Sequence, residues 1–124
     1  MEKLITIQKR EKLNDVYAVD ELGPGGANHS YDIYKFDGLI GSSADLIAHL
    51  NFQKGPRHVE ESQHGITDQD LLEIVRHRLQ GFQAGPYASE YNAKALEHIE
   101  LALMFLNRRV EDRIERNVLG TYNK

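Results

Sequence analysis

Leu96, Ile99, Leu103, Leu106 and Val110 recur at spacings of 3, 4, 3 and 4 residues. That spacing returns an apolar side chain to one stripe of an α-helix at every turn, and it describes a heptad seam. Ser89 is an acceptable N-cap before the seam and Gly120 lies beyond it, so a helix is expected from Ser89 to about Val118. About 30 residues at 1.5 Å per residue make a rod of ~45 Å. A rod with an apolar seam needs something to lie against it.

The preceding segment supplies one cover. Thr67 stands before Leu71, Leu72, Ile74, Val75, Leu79 and Phe82, which fall at helical spacing. Asp70 three positions after Thr67 reads as a capping box with Asp in the usual Glu place. Gly81, Gly85 and Pro86 are expected to end this first helix. Its rod is only ~24 Å long, and the short connection makes the two helices antiparallel neighbours. The shorter helix leaves part of the longer one bare, and a second copy of the chain is the simplest cover. A homo-oligomer joined through the long helix is therefore expected.

Residues 1–50 read as a β-rich region. Leu4–Ile7, Val16–Val19 and Tyr31–Phe36 are short runs of β-favouring residues. The Gly- and Pro-containing stretch ELGPGGANHS reads as the long tip of a hairpin joining the second run to the third. Residues 43–50 read as a short helical turn. The polar, turn-rich segment 49–65 reads as a joint between the halves, and residues 51–124 as the helical part of one domain overall. The expected fold is α+β: an N-terminal antiparallel β-sheet followed by a C-terminal antiparallel helical hairpin with one long helix.

Composition narrows the chemistry. Fifteen Lys and Arg against 19 Asp and Glu give a net charge of −4, which argues against a nucleic-acid-coating protein. With 40% hydrophobic and 27% charged residues, the chain is too apolar for a disordered one. No apolar run approaches the ~20 residues of a membrane span, and the scattered charges of MEKLITIQKREK do not read as a secretory signal. There is no cysteine, so no disulfide and no thiolate metal site. The six histidines at 29, 49, 58, 64, 77 and 98 lack zinc spacing, and Glu73 with His77 reads as a surface pair. The loop at 24–28 lacks the GK[ST] and following helix of a phosphate loop. No GxSxG elbow or isolated carboxylate pair signals catalysis. No catalytic residue, metal site or cofactor is expected.

Binding residues can be picked out at the ends of the seam. Followed backwards, the seam meets Asn92 and Ser89; followed forwards, it meets Arg113 and Asn117. These are either solvated helix ends or the polar lining of a pocket, with Asn offering a donor and an acceptor and Arg a fork suited to phosphate. Phe82, beside a glycine-rich turn, is either a core aromatic or a ring face on which a base stacks. Arg109 is either a solvated partner of Glu111 or Asp112, or a cation closing over the base from the other side.

From about residue 51 onward, particular spellings recur together. They are FQ-x-GP at 52–56, GIT-x-x-x-LL-x-IV-x-x-RL at 65–79 and FQ-x-GP-[YF] at 82–87, followed by N-x-x-AL at 92–96 and E-x-AL at 100–103. R-x-x-x-R-x-x-R begins at 109 and V-x-GT closes the set at 118–121. In combination they resemble the helical-hairpin domain shared by phage anti-Thoeris and anti-CBASS sponges. The β-rich region ahead of the hairpin points to the Thoeris anti-defence type one branch. The resemblance implies sequestration without cleavage of cyclic ADP-ribose isomers of the glyco-cyclic type, in the cytoplasm of the host bacterium. Some relatives also hold cyclic di- or trinucleotides. It further implies that Phe82 and Arg109 stack the adenine, that Asn92 and Arg113 match polar and phosphate-contacting positions, and that Arg57 is a further ligand contact.

Helix geometry gives this resemblance a shape. An antiparallel hairpin brings Phe82 near Asn92, whereas Arg109 and Arg113 lie ~26 Å and ~32 Å further along the same helix. One small ligand cannot reach both ends. A second chain running the other way would supply its Arg109 and Arg113 beside the first chain's Phe82 and Asn92, in a dimer or a hexamer.

Overall fold

Val16, Tyr17, Tyr31, Ile33 and Tyr34 carry the branched or aromatic side chains that suit a pleated surface. In the computed structural model, which describes residues 1–124, they form the centre of an antiparallel sheet. The strands are β1 (Glu2–Lys3), β2 (Asn14–Ala18), β3 (Ser30–Lys35) and β4 (Leu46–Asn51), in the order β1-β2-β3-β4. They belong to the first of two compact units, Met1–Gly65; the second is Ile66–Lys124. The α+β class and the order of sheet then hairpin are as expected.

Two expectations for the sheet need correction. Leu4–Ile7 is not a strand: pairing with β2 ends where the Leu4 N–H donates to the Val16 carbonyl at 2.9 Å, and Ile5 and Ile7 stand 92% and 101% exposed. Of residues 43–50 only 43–45 form a turn, closed by the Leu46 N–H on the Ser42 carbonyl at 3.0 Å; the rest is strand. Leu46–Asn51 pairs with β3, and a register shift at Ile33/Tyr34 skips Ile47, which is left exposed. An alternation of half-buried and exposed residues along β4 is the period-2 pattern that overrides local propensity once a neighbouring strand is available.

The β2–β3 loop is tied by Asp20. Its carboxylate accepts the backbone N–H groups of His29 and Ser30, and its carbonyl accepts from the Asn28 amide at 2.6 Å. Burial raises the Asp20 pKa, but the His29 and Ser30 donors outweigh it and hold the carboxyl below its ordinary value. Tyr17 packs edge-to-face on Tyr34, ring centroids 5.8 Å apart, and with Ala18 they are the buried apolar residues.

Asp15 is the buried charge, 1% exposed. Its Oδ2 accepts the Asp37 N–H at 3.0 Å, while Lys3 and Lys12 place ammonium groups 3.5 and 3.4 Å from Oδ1. The Asp37 hydrogen bond, with the two lysines, lowers the Asp15 pKa in spite of the burial that raises it. Because the folded value is the depressed one, the contribution is present above the unfolded value of about 3.9 and is lost as pH falls through the folded value.

In the second unit, α1 (Asp68–Gln83) begins on Thr67 with the expected capping box. Thr67 Oγ1 accepts from the Asp70 N–H, and the Asp70 carboxylate accepts from the Thr67 N–H at 2.9 Å. The helix runs through Gly81 rather than stopping there, and ends on Ala84 ahead of Gly85 and Pro86. α2 (Glu90–Glu115) starts on Ser89, whose Oγ accepts from the Asn92 N–H. It ends three residues before the expected Val118, so the rod is about 39 Å. Asn117 takes a left-handed φ of 58°, and the N–H groups of Val118 and Asn117 reach the carbonyls of Arg113 and Ile114. That is a Schellman ending with Asn in the place Gly more often takes.

The turn between the helices is fastened by one side chain. Gln83 Nε2 donates to the Ser89 carbonyl at 3.0 Å and Gln83 Oε1 accepts the Ser89 N–H at 2.9 Å. The other FQ-x-GP spelling uses its glutamine alike: Gln53 donates to the Gly55 carbonyl and accepts from the Gly65 N–H. Gly65 has no alternative there, because a Cβ would stand 2.5 Å from the Asn51 carbonyl oxygen. Arg76 adds a second tie between the helices, bonding Glu100 at 2.9 Å and Glu73 at 3.3 Å. Glu73 is thus the partner of Arg76, not of His77 as its spacing suggested.

Two stability predictions follow from these ties. Asp15→Asn is expected to lower the thermal midpoint at pH 7 by several degrees. It also removes part of the fall in midpoint below about pH 4 that circular dichroism melts of the parent chain should show. Gln83→Ala, which removes two hydrogen bonds, should cost about 1–3 kcal/mol in urea unfolding of the full chain.

Candidate functional site: an aromatic end and an arginine end on one hairpin

Phe82 sits in the last turn of α1 and Asn92 in the first turn of α2, and the Gln83–Ser89 pair holds those two turns together. The Phe82 ring is 43% exposed, so it is not a core aromatic. Asn92 is half-buried, its backbone N–H consumed by the Ser89 cap. This end of the hairpin therefore carries both an exposed ring and a half-buried amide.

Arg109 and Arg113 stand in the last two turns of α2, at the opposite end. Arg109 is exposed and engages no carboxylate; Asp112, suggested as its partner, pairs with Arg116 at 3.0 Å instead. Arg113 is half-buried and partly committed. Its Nη2 donates to the carbonyls of Val118 and Thr121, each at 3.0 Å. The V-x-GT spelling thereby acquires a physical role, with Thr121 Oγ1 also donating to the Val118 carbonyl and Gly120 supplying a φ of 79°. The clamp fixes the guanidinium while leaving its Nε and Nη1 donors without a protein acceptor. Charge-assisted donors held in place are what a phosphate oxygen requires.

Of the five predicted binding residues, one chain thus brings two together at each end of α2. Arg57 lies in the other unit, exposed, on a small loop closed by the Lys54–Gln63 bridge and by the Gln53 hydrogen bonds. Asn92 and Arg109 are separated by 17 residues of unbroken helix, about 26 Å.

Between the two ends, α2 has a feature the heptad reading missed. The seam residues Leu96, Ile99, Leu103, Leu106 and Val110 are half-buried, as expected for the face turned to α1. At 100° per residue, Leu101, Met104 and Phe105 fall roughly opposite that seam. They are 42%, 62% and 65% exposed. Two open grooves of about 420 and 410 Å³ meet at Glu100 and Met104, one including Leu96 and Leu101, the other Leu103 and Asn107. Neither helix holds a fully buried residue. A second apolar stripe was legible in the sequence as L-x-x-M-F, but the heptad count drew attention only to the first.

The first unit contributes a polar cavity of about 350 Å³ lined by Asp20, His29, Ser30, Asn51, Lys54 and neighbouring residues. Arg57 is not among its lining.

Comparison with known proteins falls on the same stretch of chain. The family described as Acb2/Tad1, hairpin domain, matches residues 47–111, which takes in Arg57, Phe82, Asn92 and Arg109. A relative from Bacillus phage SBSphiJ7, Thoeris anti-defense 1, is 36% identical over 102 residues, or 82% of this chain. The chain spans 66% of that relative's length. With the hairpin matched from its β4 approach to the arginine-rich end of α2, the chain belongs to the Acb2/Tad1 hairpin-domain family.

Proposed function

We propose that the protein is a phage anti-defence sponge, which binds a cyclic ADP-ribose isomer of the glyco-cyclic type and withholds it from Thoeris immunity without cleaving it. It would act in the cytoplasm of the host bacterium. Family membership and the Thoeris anti-defense 1 relative support the anti-defence role. The observation that carries the ligand reading is the division of the hairpin into an exposed aromatic end and an end with unpaired arginine donors.

A cyclic ADP-ribose offers a purine face and a pyrophosphate within one small ring system. Phe82 suits the base and Asn92 its polar edge. Arg109 suits the other face of the base, and Arg113 and Arg57 suit the phosphates. Because 26 Å of helix separates the two sets in one chain, the pocket is assembled from two chains running in opposite directions. The exposed Leu101, Met104 and Phe105 stripe supports such an assembly, since it lies between the two ends and has no cover in the chain itself. The protein's work is then equilibrium binding, which lowers free ligand when sites outnumber signal molecules.

Phe82→Ala is expected to weaken binding about 5–150-fold by the worth of a stacked base. Arg109→Ala should weaken it about 2–30-fold, both read by calorimetry on folded protein. After incubation with excess protein, denaturation and chromatography, intact ligand should be recovered; linear ADP-ribose would make the protein a hydrolase. Native mass spectrometry with cyclic di- and trinucleotides tests the wider ligand range. Met104→Glu should lower the mass seen by light scattering and weaken ligand binding at least ~10-fold. Parent protein that is monomeric at micromolar concentration yet binds fully would refute the shared pocket.

A further inference from the structure

α1 carries two arginines two positions apart, and the fold treats them in opposite ways. Arg76 is held between Glu73 and Glu100, whose hydrogen bonds favour its charged form. Arg78 has no carboxylate partner and no hydrogen bond; its guanidinium carbon lies 5.4 Å from the centroid of the Phe82 ring, one helical turn on. Positions i and i+4 share a helix face, so this stacking is built into the backbone rather than dependent on a distant contact.

We infer that Arg78 is a ligand-positioning residue, which closes one face of Phe82 and leaves the opposite face as the stacking surface for the purine. This rests on the stacking role proposed for Phe82. Three physical effects point the same way. A cation on one face draws the ring's π density toward itself, which makes the other face a better partner for an electron-rich purine. Packing by the guanidinium limits the rotamers open to a side chain that is otherwise 43% exposed, so less freedom is lost when a base lands on it. An unneutralised positive charge beside the ring also favours a ligand carrying a pyrophosphate over an uncharged nucleoside. In the resulting stack the order is Arg78, Phe82, base, and the Arg109 of the second chain.

The test is a double-mutant cycle on the full-length chain, titrated calorimetrically with a glyco-cyclic ADP-ribose at low and high salt. Circular dichroism checks that each variant keeps its helices. Arg78→Met is expected to weaken binding about 2–30-fold, with a shallower salt dependence. Arg78→Lys should recover most of the loss. In a Phe82→Leu background Arg78→Met should cost less than about twofold, because the partner it acts through is gone. Equal losses in both backgrounds, or parental affinity in Arg78→Met while Phe82→Leu binds weakly, would overturn the role of Arg78 and leave the stacking reading standing. Affinity unmoved by Phe82→Leu would overturn the stacking reading, and the inference with it.

Discussion

An α-helix rises 1.5 Å per residue and does not shorten on demand. That single fact decides how α2 can be used. Its first turn carries Asn92, at the end of the hairpin where Phe82 stands, its last turns carry Arg109 and Arg113, and no rotamer of any of these closes a gap of about 26 Å. Whatever small molecule is gripped by both sets must be gripped by two chains. The constraint also explains why α2 has apolar residues on two opposite sides. Leu96 through Val110 face α1, whereas Leu101, Met104 and Phe105 remain bare. In water that bare stripe is costly to keep exposed, and burial at roughly 25 cal/mol per Å² would drive the two-chain assembly proposed above.

Much of the hairpin's local chemistry serves rigidity. Gln83 fastens the inter-helical turn through both sides of its amide, and Gln53 does the equivalent in the first unit. The recurring FQ-x-GP spelling therefore encodes a stapled turn in which the glutamine does the holding; Phe82 faces outward, whereas Phe52 packs edge-to-face on Tyr31. Ring and staple are adjacent, so a substitution at the staple would loosen the ring it presents. Preorganised surfaces lose less conformational entropy when they bind.

Legibility in the sequence followed the range of the interaction. Thr67, Asp70 and Ser89 act within one helical turn, and their caps could be read directly from spacing. The heptad seam could be read for the same reason. Asp15 could not: its partners Lys3 and Asp37 come from other segments, and only strand pairing brings them together. β4 is not legible because Leu46–Asn51 is a strand by virtue of its neighbour, and an apolar side chain at the exposed position of Ile47 blurs the alternation in the sequence. At the candidate site, Phe82 stood out because glycines flank it. Arg78 did not, since an i, i+4 Arg–Phe pair resembles many solvated helix positions until the ring proves exposed and the guanidinium unpaired.

Arg113 brings the two demands on the hairpin into one side chain. One nitrogen closes the chain end onto Val118 and Thr121, and the remaining donors face no protein acceptor. In the phosphate-binding role proposed for it, a freely rotating arginine would have to be ordered at each binding event, at a cost of about 0.5–1.5 kcal/mol for a side chain rich in rotamers. Here the Schellman ending at Asn117 and the turn at Gly120 meet that cost during folding. Lysine in the same place would supply charge but not the planar fork, so it could not clamp two carbonyls and still offer a second pair of donors. The arginine end of the hairpin is in this sense a product of how α2 stops. Had the helix continued to Val118, as the place of Gly120 suggested, the Val118 and Thr121 carbonyls would not turn back to hold Arg113.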